Sequence, residues 1–219
     1  MLKAIKVALA LVLVPWQLAA EPMELSLYIT DELSGEAAEG TRVIVNHGPR
    51  PQPVTAEMTQ ENRQFQPHVL VVPQDSTVNF PNRDVTQHHV YSFSKAKVFD
   101  IELFSGQPTE PVVFDKVGVV EVGCNIHDHM QGFILVTDSG LTAQADETGQ
   151  ALISLPDTVN RGEKISLSLW HPRLKDNTQT VDVVVTADPE TRPQLQLHLE
   201  PKPDTSGRLD RLQQRYRDL

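Results

Sequence analysis

Met23, Leu25, Leu27 and Ile29 alternate with mostly polar neighbours, the period-two pattern of a half-buried strand. A turn-like stretch, DELSGEAAEG, separates it from an apolar run at Val43–Val45, and Gly48 to Pro53 reads as a loop rich in proline and glycine. From Phe65 onward, strands are expected at Val69–Val72, Ser76–Phe80, His89–Phe93, Val98–Phe104, Val112–Phe114, Val119–Val122 and Phe133–Val136. Short strands at this spacing, with turn signals between them, indicate an antiparallel sandwich or barrel. After Asp138-Ser139-Gly140, four more strands are expected at Ala151–Leu155, Ile165–Leu169, Val181–Val185 and Leu195–Leu199. The fold class predicted is all-β: a Greek-key sandwich over residues 21–138, then a small immunoglobulin-like or transthyretin-like sandwich over 139–201. In the tail, 202–219, Leu209, Leu212, Tyr216 and Leu219 fall near one helical face, although a short isolated helix is expected to fray.

Composition agrees with short strands. The chain has 16 prolines and an aromatic share of only 5%. Residues 1–20 read as an export signal: Lys3 and Lys6 lead, Val7 to Leu18 is almost wholly apolar, and Ala19-Ala20 offers small residues for cleavage. That run is short for a membrane span, which needs roughly 20 apolar residues, and no later segment is expected to cross a bilayer. A periplasmic location follows. Removing the signal takes two lysines and no acid, so the formal charge of −10 becomes −12. So acidic a chain is a poor partner for nucleic acid and suits one with a basic patch.

One cysteine, Cys124, changes the picture. It has no partner for an internal disulfide, and an unpaired exported thiol needs protection. Its neighbourhood, GCNIHDHMQG (residues 123–132), gathers Cys124, His127, His129 and Met130 within seven residues. Thiolate and thioether are soft ligands and imidazole is borderline. One thiolate, two imidazoles and a weak axial thioether describe a blue-copper site. Zinc more often recruits paired cysteines, and calcium or magnesium would want oxygen ligands that this loop scarcely offers. The missing imidazole must come from elsewhere, and His88 and His89 lie in FPNRDVTQHHVYSF (residues 80–93), shortly after a predicted strand end. His47, His68, His171 and His198 lack ligand-like neighbours and are expected to be surface or structural. Trp170 is expected in the core of the second sandwich, and Tyr91, Phe93 and Phe99 in packing around the site.

These two segments resemble the cupredoxins of the amicyanin and plastocyanin group. They are closer still to bacterial periplasmic proteins labelled methylamine-utilisation or plastocyanin-like, over roughly residues 24–172. The family's Cys-x-x-His-x-x-Met pattern falls on Cys124, His127 and Met130, and its upstream histidine, after an Asn-x-acid turn, on His88, with Asn82 and Asp84 preceding it. The resemblance implies one type 1 copper ion held by His88, Cys124, His127 and Met130. It implies one-electron transfer with a redox partner such as a c-type cytochrome or a dehydrogenase. Two positions depart from the family: His89 stands where many cupredoxins carry asparagine, and His129 where a bulky aromatic is commoner.

No nucleophile elbow and no glycine-rich phosphate loop occurs, so an enzyme is not expected. The alternatives are a periplasmic copper carrier or buffer, for which four methionines are few, and a module in which copper is structural.

Overall fold

The computed structural model describes residues 22–107, 110–127 and 129–202. Residues 1–20, expected to be an export signal, and the tail from residue 203 onward lie outside the described residues. The described chain is built of strands and contains no α-helix, hence no helix long and apolar enough to cross a membrane. In chain order the strands are β1 (Met23–Asp31), β2 (Arg42–Val45), β3 (Thr55–Glu57), β4 (Thr59–Glu61), β5 (Gln64–Gln66), β6 (Val69–Pro73), β7 (Ser76–Asn79), β8 (His88–Ser94) and β9 (Lys97–Phe104). Then follow β10 (Val112–Phe114), β11 (Gly118–Cys124), β12 (Gln131–Thr137), β13 (Thr142–Gln144), β14 (Gln150–Leu155), β15 (Lys164–Trp170), β16 (Val181–Thr186) and β17 (Gln194–Leu197).

The central sandwich faces a five-stranded sheet, ordered β6-β12-β11-β8-β9, against a three-stranded sheet, β10-β7-β3. Val78, Phe114, Val90, Val120, Val122, Ile134 and Val136 fill the space between them, with Cys124 and Met130 at one end. Burying side chains of this size stabilises by roughly 1.5–3 kcal/mol each, which is what holds two sheets face to face.

The strand pairing departs from the expected grouping of the N-terminal strands with residues 21–138. β1 lies between β14 and β17, antiparallel to the first (Leu25 opposite Ile153) and parallel to the second (Ile29 opposite Leu195). β2 lies between β13 and β15. Both N-terminal strands therefore complete the sheets of the C-terminal unit, and the central sandwich is inserted between β2 and β13. The physical reason is that Leu25, Leu27 and Ile29, all fully buried, share a core with Leu167, Leu169 and Trp170. Alternation tells which face of a strand is buried; it does not name the neighbour.

β12 joins the two units. Six of its residues in succession are buried, with no alternation. Ile134 and Val136 enter the core of the central sandwich, whereas Phe133 and Leu135 enter the core of the C-terminal unit, where Phe133 stands 5.0 Å from the Trp170 ring. A strand covered on both faces reads as a continuous apolar run.

Candidate metal centre

His88 opens β8 and its side chain is wholly buried. Adjacent strand residues point to opposite faces, so only one of His88 and His89 can face the sandwich interior. The register against β9 shifts between His88, opposite Phe104, and Val90, opposite Ile101. Across this irregularity His88 and Val90 both face inward. His89 points to the other face, where it meets the Asp100 carboxylate. The two candidates left open by the sequence are thus separated: His88 joins Cys124, and His89 does not.

Cys124 ends β11 and is 4% exposed. The loop beyond it is closed by its own backbone: the Met130 N–H donates to the His127 carbonyl (2.8 Å), and the Cys124 N–H donates to the Met130 carbonyl (3.2 Å). The Asn125 N–H reaches back to the His89 carbonyl at 3.3 Å, tying the loop to β8. Cys124 Sγ lies 3.6 Å from His88 Nδ1 and 3.7 Å from His127 Nδ1, and the three donor atoms fall within 4.8 Å of one another. The two imidazole centroids are 5.0 Å apart. Met130, 3% exposed, is buried in the same core cluster as Cys124.

These separations fit a shared ion. A sulfur about 2.3 Å and a nitrogen about 2.0 Å from one metal, set at a trigonal angle, stand about 3.7 Å apart. The donor set of one thiolate and two imidazoles, with a thioether beside them, is that of a type 1 copper centre.

The His88 ring is oriented from behind. Its Nε2–H donates to Asp84 Oδ2 at 2.8 Å, which leaves Nδ1 aimed at the thiol side. Asp84 in turn accepts the Asn62 N–H on Oδ1 (2.7 Å) and the Arg63 N–H on Oδ2 (2.9 Å). Burial alone would raise the Asp84 carboxyl, but the Arg63, His88 and Asn62 hydrogen bonds outweigh it and hold it below the usual carboxylate range. Asn62 and Arg63 are the two-residue turn of the β4–β5 hairpin, with φ of 55° and 57°. Both residues in the left-handed region is the signature of a type I′ turn, whose open N–H groups here grip a carboxylate. Asn82, buried, sets the Asp84 turn: its Oδ1 accepts the Asp84 N–H (2.9 Å), and its Nδ2 donates to the Thr86 and Phe104 carbonyls. A carboxylate bonded to the far nitrogen of a metal-ligating histidine fixes tautomer and ring angle. The Asn-x-acid turn was visible in the sequence, but the hairpin that anchors it was not.

Burial first, and then the neighbouring His88, push the His127 imidazole below its ordinary range, which favours the neutral form a metal needs. His129 is exposed, with its ring 6.1 Å from that of His127. Asp128 lies outside the described residues. Of the four histidines expected to be surface or structural, His171 is buried and hydrogen-bonded to backbone, while His47, His68 and His198 are exposed, His198 pairing with Glu32 and His68 resting edge-on against Phe133. Trp170 is wholly buried, and Phe99 packs on Phe80 and Phe114. Phe93 differs from expectation: it is 81% exposed.

No protein-family model matches the chain, and no curated protein matches it. Among the solved structures that match are a copper-containing nitrite reductase and several small cupredoxins. The copper-containing nitrite reductase of Thermus scotoductus SA-01 is 28% identical over 40% of this chain, with a TM-score of 0.34. The match spans only 23% of that enzyme's length. A purple cupredoxin from Nitrosopumilus maritimus is 22% identical over 38% of this chain and 99% of its own, with a TM-score of 0.33. An oxidised amicyanin variant is 15% identical over 43% of this chain and 98% of its own, with a TM-score of 0.35. Overlaps this partial leave function to the donor set.

Proposed function

We propose that the chain holds one type 1 copper ion through His88, Cys124 and His127, with Met130 as the weak axial ligand, and relays single electrons between redox partners. The observation that carries this reading is the meeting of three donors within 4.8 Å inside a sandwich: one opens β8, one ends β11, and one lies in the loop beyond. When bound, copper supplies a centre that cycles between Cu(II) and Cu(I). The residues supply its surroundings. Cys124 couples the centre to β11, and Asp84 fixes the His88 ring. The two backbone hydrogen bonds across the 124–130 loop keep His127 and Met130 from moving apart. A cage that barely rearranges on reduction favours fast transfer.

The rival reading, a copper carrier or buffer, calls for ligands that exchange readily. Here His88, Cys124 and Met130 are each at most 4% exposed, which favours retention over delivery. The proposal makes the protein an electron carrier rather than an enzyme. Its periplasmic location rests on residues 1–20 alone. The finer likeness to methylamine-utilisation proteins adds no role, since nothing in these residues assigns amine oxidation. A c-type cytochrome or a dehydrogenase is the class of partner expected.

The test is Cys124→Ser. The copper-loaded wild-type chain should show an intense sulfur-to-copper absorption band, and the variant should lose it with an unchanged far-ultraviolet circular dichroism spectrum. An equal band in the variant would remove the thiolate from the site.

A further inference from the structure

β3 and β4 run beside β7 and the segment that follows it, and one register carries through the whole stretch. Thr55 faces Thr77, Gln60 faces Asn82, and the Asn62 N–H donates to the Asp84 carboxylate, in each case the residue 22 later. This pairing is what delivers Asp84 to the β4–β5 turn, and Asp84 is what holds the far nitrogen of His88. A slip of one residue here would take the carboxylate off the two N–H groups that grip it.

The ladder has a weak point at Pro81. The Met58 N–H donates to the Asn79 carbonyl (2.9 Å) and the Gln60 N–H to the Pro81 carbonyl (2.8 Å), but Pro81 has no N–H with which to return a rung. Gln60 makes up for this twice. Its backbone carbonyl accepts the Arg83 N–H at 2.8 Å, and its side-chain Nε2–H donates to the Phe80 carbonyl at 3.0 Å. A carbonyl can only accept, so the amide is fixed with its nitrogen toward Phe80. One residue thus holds the chain on both sides of the proline. The hairpin that carries Gln60 is pinned in turn by Phe65, which faces Gln60 across it. Phe65 packs on Gly132, two residues past Met130, where an added Cβ would come within 2.9 Å of the Phe65 Cβ.

Gln60 is wholly buried, and no donor among the described residues reaches its Oε1. An unpaired buried acceptor works against folding, so stability gives glutamine no advantage over leucine at this position. What glutamine adds is a fixed register ahead of Asp84. We propose that Gln60 is a positioning residue for the copper site: by fixing residues 80–83 it sets Asp84, and through Asp84 the angle of the His88 ring. The inference rests on the copper reading above.

The experiment measures copper affinity, by competition with a chelator, in the full-length wild type, Gln60→Leu, Asp84→Asn and the double variant. Gln60→Leu should lower the affinity roughly tenfold and alter the hyperfine splitting in electron paramagnetic resonance. The urea midpoint of the metal-free chain should hold, since one unpaired acceptor, Oε1, gives way to another, the Phe80 carbonyl. In the Asp84→Asn background the same change should cost less than about twofold, because the path it acts through is already cut. Gln60→Met, equal in length, repeats the test should the leucine variant fail to fold. An unchanged affinity in Gln60→Leu, or an equal loss in both backgrounds, would overturn the inference and leave the copper reading intact. Failure of both Gln60 variants to fold would also overturn it, by making Gln60 a stability residue. A wild-type chain without the intense sulfur-to-copper band would overturn the copper reading itself.

Discussion

His88 and His171 are both buried histidines, one in each unit, and their surroundings give them opposite roles. His171 has both ring nitrogens occupied: Nε2–H donates to the Glu39 carbonyl (3.1 Å), and Nδ1 accepts the Arg173 N–H (3.0 Å). Its tautomer is fixed and nothing remains for a ligand. His88 has one nitrogen bonded to Asp84, while the other faces a thiol 3.6 Å away. Burial alone is therefore no sign of a metal site. The sign is a buried nitrogen whose nearest neighbour is a second donor rather than a hydrogen-bonding partner.

The comparison can be broken by exchanging the two side chains' fates. His88→Ala should abolish the intense copper absorption altogether. His171→Ala should leave that absorption intact while lowering unfolding stability by about 1–3 kcal/mol, because it removes a buried ring and leaves the Glu39 carbonyl and the Arg173 N–H, both only partly buried, without their partner. Absorption spectra and urea midpoints of both variants check this, and loss of colour in His171→Ala alone would invert the assignment.

The titration of His171 sharpens the comparison. Burial lowers its pKa from 6.5 to about 4, with the Glu39 hydrogen bond only partly opposing this. The unfolded chain then binds the extra proton in the window between the two values. The contribution of His171 to stability is whole above about pH 6.5 and is lost as pH falls toward 4, up to about 3 kcal/mol. Urea midpoints of the metal-free chain from pH 7.5 to 4.5 should therefore fall further for wild type than for His171→Asn. Parallel curves would mean that His171 titrates normally.

A smaller effect is expected behind His88. Asp84→Asn keeps the shape but removes the charge gripped by the Asn62-Arg63 turn. Copper affinity, measured by competition with a chelator, should fall about 10–100-fold with the fold retained. An unchanged affinity would reduce the carboxylate to a loop brace.

Much of this was legible in the sequence, and what was hidden has physical causes. The alternation at Leu25, Leu27 and Ile29 announced a strand, yet its partners β14 and β17 lie more than a hundred residues away, and periodicity carries no information about distance. β3, β4, β5 and β13 are three residues each and mostly polar, too short for a period to register. The β4–β5 turn hid for a further reason: Asn62-Arg63 adopts a conformation that usually announces itself with glycine. At the site, the spacing of Cys124, His127 and Met130 was readable because one short loop carries all three. The choice between His88 and His89 was not, since adjacent strand residues face opposite ways and only the register decides which faces inward. Phe93 was expected to be packed, because an aromatic on a strand near a site usually is. Its exposure follows from where the C-terminal unit stops covering the sheet.

The most direct test of the central claim is a copper titration of the full-length chain, followed together by absorption and electron paramagnetic resonance. The account predicts saturation at one Cu(II) per chain, an intense sulfur-to-copper band and the narrow hyperfine splitting of a thiolate-bound type 1 centre. A colourless complex with the wide splitting of copper bound by nitrogen and oxygen would contradict it.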